Sequence, residues 1–237
     1  MEELYHYTSF CKAYKILKSG TFKFGQIRDT NDPFEDLNHR YSIIQEYPAD
    51  IKQLLYRLER YVNEEISFAS FGVPDGIVPP DQKWTMWAHY ADKHSGVCLV
   101  FDKSKLINEV KILSNTTLYK EIDYKGSMWV HPSCFEKYLT KSEQEILQAF
   151  QDPLLFTKHI DWQCENEFRI IVFQKKFEIK INNCLTRIIY GPDTCPKRQK
   201  RIETYLKRKK LKVLDGKLIY ADTSYAKPLK FLFTENK

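Results

Sequence analysis

The feature that most constrains this chain is the shortness of its apolar runs, of which Val97-Cys-Leu-Val-Phe101 is among the longest. A run of that length suits a buried strand, whereas a membrane-spanning helix needs about 20 apolar residues. Buried strands need partners along their edges and cover on their faces, so the chain must build a sheet with helices against it. The opening Met1-Glu-Glu-Leu-Tyr has neither the basic nor the apolar region of a signal peptide. A cytoplasmic protein with no membrane partner is expected.

The pattern around that run is irregular. Leu4-Tyr-His-Tyr reads as a short strand, and Thr8 or Ser9 caps a helix to about Lys18 that Gly20 ends. Thr21–Phe24 alternates as a second strand, and Asn31-Asp-Pro-Phe-Glu35 is a turn because Pro33 bars helix at Asp32. Ile51, Leu54, Leu55, Leu58 and Val62 recur at helical spacing, and Ile66–Phe71 alternates as a half-buried strand. Trp84 to Ala91 is an aromatic helix, and residues 132 to 159 are mostly helical with breaks near Pro153. Glu167–Phe173 and Thr186–Tyr190 are strands, followed by a basic helix and a hairpin turning at Asp215-Gly216.

With 237 residues, 43% of them hydrophobic, core material suffices for a folded domain. The formal charge of +6 is local: residues 197–212 hold nine basic residues against Glu203, which leaves the rest of the chain at −2. The six cysteines are scattered without framework spacing, and His131/Cys134 and His159/Cys164 do not make a zinc pattern. No resident metal is expected. The phosphate loops G-x-x-x-x-G-K and G-x-G-x-x-G, the G-x-S-x-G elbow and H-E-x-x-H are all missing.

Three clusters could carry chemistry. His6 stands in the first strand between Tyr5 and Tyr7. Trp87 and Tyr90 lie three apart on one helix, either as plain core or as a platform for a flat ring. Glu165 and Glu167 open a late strand. Two carboxylates at i and i+2 of a strand share a face, and their repulsion needs solvent or a positive charge between them. Such a pair either forms a solvated edge or steadies a developing cation.

The order of these clusters, with Asn166-Glu-Phe168 leading into Ile170-Ile-Val172, resembles the His-Tyr-Glu branch of the ADP-ribosyltransferase superfamily. Leu4-Tyr-His-Tyr-Thr8 with Ile16-Leu-Lys-Ser-Gly-Thr-Phe-Lys-Phe-Gly25 is similar to the opening of its DNA-modifying toxins. The chain also resembles a bacterial family of unassigned function marked by Asn31-Asp-Pro-Phe-Glu35, Met86-Trp-Ala-His-Tyr-Ala91, Gly96–Asp102 and Glu165-Asn-Glu-Phe-Arg169.

The resemblance implies an α+β fold on a split, mainly antiparallel sheet with flanking helices. It implies NAD as substrate and an ADP-ribosyl acceptor that is nucleic acid or protein, in a toxin or phage-defence setting with a regulatory or antitoxin partner. Glu167 would be catalytic on the nicotinamide ribose and Glu165 would act at the acceptor side. His6, Thr8, Ser67, Trp87 and Tyr90 would contact NAD, His6 at a ribose hydroxyl and Tyr90 at the nicotinamide ring. Strand one carries His6 where arginine-directed members carry Arg, and Ser67 and Ser70 do not make their Ser-x-Ser.

Residues 1–190 would form the core and 191–237 an appendage, in which Lys197, Arg198, Lys200, Arg201, Lys207 and Arg208 suit a phosphate backbone. Two alternatives remain open. One is a non-enzymatic nucleotide or nucleic-acid-binding module of the same ancestry. The other is a nuclease using Glu165, Glu167 and Asp32 on a divalent ion.

Overall fold

The computed structural model describes residues 2–35, 37, 47–74, 76, 78–79, 82–127, 130–209 and 221–222. The expected hairpin at Asp215-Gly216 lies outside them. The elements run β1 (Glu3–Thr8), α1 (Phe10–Ser19), β2 (Thr21–Lys23), α2 (Ala49–Glu65), β3 (Ser67–Gly72), α3 (Trp84–Tyr90) and β4 (Val97–Asp102). Then follow α4 (Lys103–Leu113), β5 (Thr117–Glu121), β6 (Asp123–Lys125), α5 (Ser133–Glu136), α6 (Glu143–Ala149), α7 (Gln151–Leu155) and β7 (Thr157–His159). The series closes with β8 (Glu167–Val172), β9 (Glu178–Lys180), β10 (Leu185–Tyr190), α8 (Pro196–Lys209) and β11 (Ala221–Asp222).

The fold is mixed α/β, with mainly antiparallel strands and flanking helices. Two compact units interleave along the chain: residues 1–21, 74–106 and 180–237 form the first, and 22–73 with 107–179 the second. The described part of the expected C-terminal appendage thus belongs with the first unit. Among the described residues no helix is long and apolar enough to cross a membrane.

In the first unit the strand order is β11-β10-β4-β1. β4 is antiparallel to β1 (Glu3 opposite Asp102) and to β10, which carries an irregularity between Leu185 and Arg187. Every residue of β4 is buried, as its unbroken apolar run requires. Tyr5, Tyr7, Cys98, Val100 and Ile189 pack with Met86, Trp87 and Ala91, and Tyr7 meets Trp87 edge to face at 5.2 Å. α1 has the caps that its sequence implies. Ser9 accepts from the Lys12 N–H, and Gly20, left-handed at φ 71°, donates to the Ile16 carbonyl. The turn after α3 is unusual, because Asp92, Lys93 and His94 all take positive φ. Gly191 is required beside it, since a Cβ there would lie 2.2 Å from the His94 carbonyl oxygen.

In the second unit β8 runs between β3 and β5, antiparallel to both, with Gly72 opposite Glu167 and Thr117 opposite Val172. The apolar stripe of α2 packs into a core with Phe68, Phe135, Ile146, Leu154, Phe156 and Ile171. Full burial of each such side chain contributes roughly 1.5–3 kcal/mol. α6 starts on a capping box in which Ser142 and Glu145 each satisfy the other's backbone N–H. The helical stretch breaks at Phe150, just before Pro153 enters α7 in its first turn, where proline is tolerated. The short strand β7 was not expected there. It pairs in parallel with β6, setting Lys158 opposite Tyr124.

Candidate functional site

Glu165 and Glu167 are only 4% and 3% exposed, so the solvated-edge reading fails. They do not share a strand either. Glu165 ends a 3-10 turn, Ile160–Glu165, and β8 begins at Glu167. Between them Asn166 is left-handed at φ 44°, a conformation that Asn tolerates better than most residues. Its side-chain amide donates to the Val73 carbonyl at 3.0 Å and fixes that turn.

The two carboxylates meet at one cation, as their repulsion demands. Lys158 Nζ lies 2.7 Å from Glu165 Oε2, 2.8 Å from Glu167 Oε2 and 3.6 Å from Glu35 Oε1. Arg169 supplies the second positive charge. Its Nε donates to Glu167 Oε1 at 2.7 Å, Nη2 to Glu167 Oε2 at 3.1 Å and to Glu35 Oε1, and Nη1 to the Leu155 carbonyl at 2.8 Å. Ser70 Oγ donates to Glu167 Oε1 at 2.5 Å, and Tyr124 OH accepts from the Glu167 N–H at 2.9 Å. Each Glu167 oxygen thus receives two donors. The ring of Trp162 lies 5.6 Å from Lys158 Nζ, and that of Phe68 lies 5.4 Å from the Arg169 guanidinium.

Burial pushes the Glu167 carboxyl up, but the Arg169 and Lys158 charges and their hydrogen bonds outweigh it. They hold it well below the usual carboxylate range. Burial pulls the Lys158 ammonium down, yet Glu167 and Glu35 raise it well above the ordinary lysine value. Burial raises the Tyr124 hydroxyl, and the neighbouring Glu167 and Glu165 charges add to that. Burial likewise pulls the Arg169 guanidinium down, and the Glu167 and Glu35 charges raise it above its ordinary value.

Among the described residues the cluster sets three acids against two bases. Glu35 is 3% exposed, and its Oε2 has no hydrogen-bond partner among the described residues. It is presented by the Asn31–Glu35 turn, where Asp32 Oδ1 accepts from the Phe34 N–H at 2.9 Å and Glu35 N–H donates to the Asp32 carbonyl. Two sequence motifs far apart in the chain, Asn31–Glu35 and Glu165–Arg169, therefore converge with Lys158 and Ser70 on one buried site. Lys158, Glu35, Ser70 and Arg169 had no assigned role in the sequence. The available signal was the like-charged pair itself, which required a counter-charge without saying where it would come from.

The remaining candidates fall elsewhere. Ser67 is spent on structure, donating to the Gln174 carbonyl at 2.8 Å and accepting from the Phe177 N–H, so Ser70 is the serine that reaches Glu167. Trp87, 1% exposed, is core of the first unit, and half-buried Tyr90 packs at the edge of the same cluster. Strand alternation puts His6 and buried Thr8 on the face of β1 opposite Tyr5 and Tyr7. Asp32 is buried at 3% exposure in the Asn31–Glu35 turn. Among the described residues no group of three or more His, Cys, Asp or Glu is arranged to hold a metal ion. Cys134 and Cys164 are exposed and unbridged, and His131 pairs with Ser133 Oγ at 2.8 Å.

Residues 86–170 match the model of a family described as a protein of unknown function, DUF2971. The match takes in Lys158, Glu165, Glu167 and Arg169 but stops short of Glu35 and Ser70. No curated protein and no solved structure matches the chain.

Proposed function

We propose that the chain cleaves NAD and transfers the ADP-ribosyl group to a macromolecular acceptor, with the carboxylates of the second unit as its anionic centre. One observation carries this reading: among the described residues the buried cluster sets three carboxyl groups against two basic side chains, and one Glu35 oxygen has no hydrogen-bond partner. Buried charge is normally matched ion for ion, because an uncompensated ion forfeits its hydration. An excess of acids over bases instead suits a site that receives a positive centre.

ADP-ribosyl transfer creates such a centre. As the bond from ribose C1′ to the nicotinamide nitrogen breaks, its electron pair leaves with neutral nicotinamide and the ribose becomes an oxocarbenium-like cation. The acceptor nucleophile then bonds to C1′ and gives up its proton. Fixed carboxylates stabilise that cation without having to reorganise. With both oxygens already filled, Glu167 acts through its charge and by fixing Lys158 and Arg169. Glu35 is the acid with an oxygen to offer.

The test is nicotinamide release from NAD, with and without DNA, RNA or protein as acceptor. Release is expected from the native chain and not from Glu167→Gln. Because Glu167 also holds the cluster together, Glu35→Gln is the companion variant, with folding checked by thermal unfolding. It removes the Glu35 carboxyl group while leaving the Arg169–Glu167 pair, and is expected to cut turnover by at least tenfold. A folded native protein that neither binds nor cleaves NAD would sink the reading.

A further inference from the structure

The first unit carries a second concentration of charge, of opposite sign and on the surface. α8 is anchored by Ile202 and Leu206, both buried, and by Gln199, whose side chain donates to the Thr194 carbonyl at 3.0 Å. Its remaining faces are basic, with Glu203 the sole acid from Pro196 to Lys209. The sequence treats this helix as an isolated stretch. In the fold it lies along α1. The Arg198 guanidinium sits 5.3 Å from the ring of Phe10, and that of Arg201 4.3 Å from the ring of Tyr14. Tyr205 meets the Tyr14 ring edge-on at 5.9 Å and donates its hydroxyl to the Lys18 carbonyl at 3.3 Å.

These contacts advance together, Phe10 to Lys18 on one helix and Arg198 to Tyr205 on the other, so α1 and α8 run parallel. α1 contains no acid from Phe10 to Ser19, and Lys12, Lys15 and Lys18 are exposed along it. Among the described residues, none of these three lysines, nor Lys200, Arg201 or Lys207, is in an ion pair. Arg201 is held by an aromatic face and not by a carboxylate. It is thereby oriented while its charge stays available.

From this juxtaposition we infer that α1 and α8 together form a nucleic-acid-binding surface that engages the phosphate backbone without reading sequence. Two parallel basic helices present rows of cations that no acid on α1 and only Glu203 on α8 offsets, which is the charge pattern a polyphosphate chain complements. Contacts to phosphate carry no sequence information, so affinity should track salt and length and not sequence. The inference is independent of the carboxylate site: its residues lie outside that cluster, and binding is measured without NAD.

The experiment is fluorescence anisotropy of the full chain with labelled duplex DNA, single-stranded DNA and RNA of about 20 nucleotides, across a salt series. Vesicles containing phosphatidylserine form a parallel arm. Binding to at least one nucleic acid is expected, with log affinity falling linearly in log salt. The double reversal Lys15→Glu with Lys18→Glu should weaken it at least tenfold and reduce the salt slope by about 2, near 0.9 for each lost phosphate contact. Lys200→Glu with Lys207→Glu should do the same, and thermal unfolding of both variants should match the native chain. If the α1 reversal leaves affinity and slope unchanged, the two-helix surface is refuted. If the chain binds the vesicles and none of the nucleic acids, the partner is an anionic membrane surface and the inference falls.

Discussion

The cluster on β8 and the surface on α1 and α8 hold the same kinds of side chain under opposite rules. In the second unit Lys158 and Arg169 are almost wholly buried, and each reaches two or three carboxylates. In the first unit Lys12, Lys15, Lys18, Lys200 and Lys207 are exposed and, among the described residues, face no carboxylate within ion-pair distance. Desolvation makes the difference. A charge taken out of water must find a partner, whereas a charge left in water need not and can be held for a ligand. Among the described residues the buried site has one acid more than it has bases, and the exposed one has many bases and one acid.

Removing a partner should therefore matter very differently in the two places. Lys158→Met removes the ammonium that pairs with Glu35, Glu165 and Glu167 and is expected to cost about 3–5 kcal/mol of stability. Urea unfolding checks it, and a loss below about 1 kcal/mol would mean that water or relaxation relieves the cluster.

Acid should act next most strongly, and most of all through the buried region. Glu167 is depressed in the fold relative to about 4.3 in an unfolded chain. The unfolded state thus binds the extra proton. The stability that Glu167 contributes is present above about pH 4.3 and is lost as pH falls toward the folded value. Lys158, raised in the fold, has the converse sense: its contribution is full below about pH 10.4 and is lost as pH rises through its folded value. A stability plateau between about pH 5 and 10 is expected, with the acid limb shallower in Glu167→Gln. Equal acid limbs in the two proteins would contradict this. The smallest effect belongs to the surface. Lys200→Glu should change unfolding stability by no more than about 0.5 kcal/mol, and a larger loss would reveal an intramolecular partner for that lysine.

Much of the frame was legible in the residues. The caps of α1, the apolar stripe of α2 and the buried run of β4 all follow from periods and caps that lie within a few residues of one another. β8 was legible too, and so was the need for a cation beside Glu165 and Glu167. What was not legible is β7, whose three residues are too few to show a period and sit in a stretch that otherwise reads as helix. Lys158 is on that strand, so the central cation went unseen with it. Glu35 was visible as the end of a turn, but its meeting with Arg169 spans 134 residues of sequence.

The sequence by itself determined part of the inventory: many of the helices and strands, how many charges there are, and that the basic ones crowd into residues 197–212. Those are local properties, set by backbone preference and side-chain chemistry. Only the tertiary structure decided which charges are neutralised and which are left over. Pairing Glu35 and Lys158 with β8, or laying α8 along α1, depends on where distant segments cross, and no period of a few residues encodes that. The pair Glu165 and Glu167 shows both halves. Their repulsion could be read in the sequence, and the fold supplied Lys158 to answer it and brought Glu35 to the same cation.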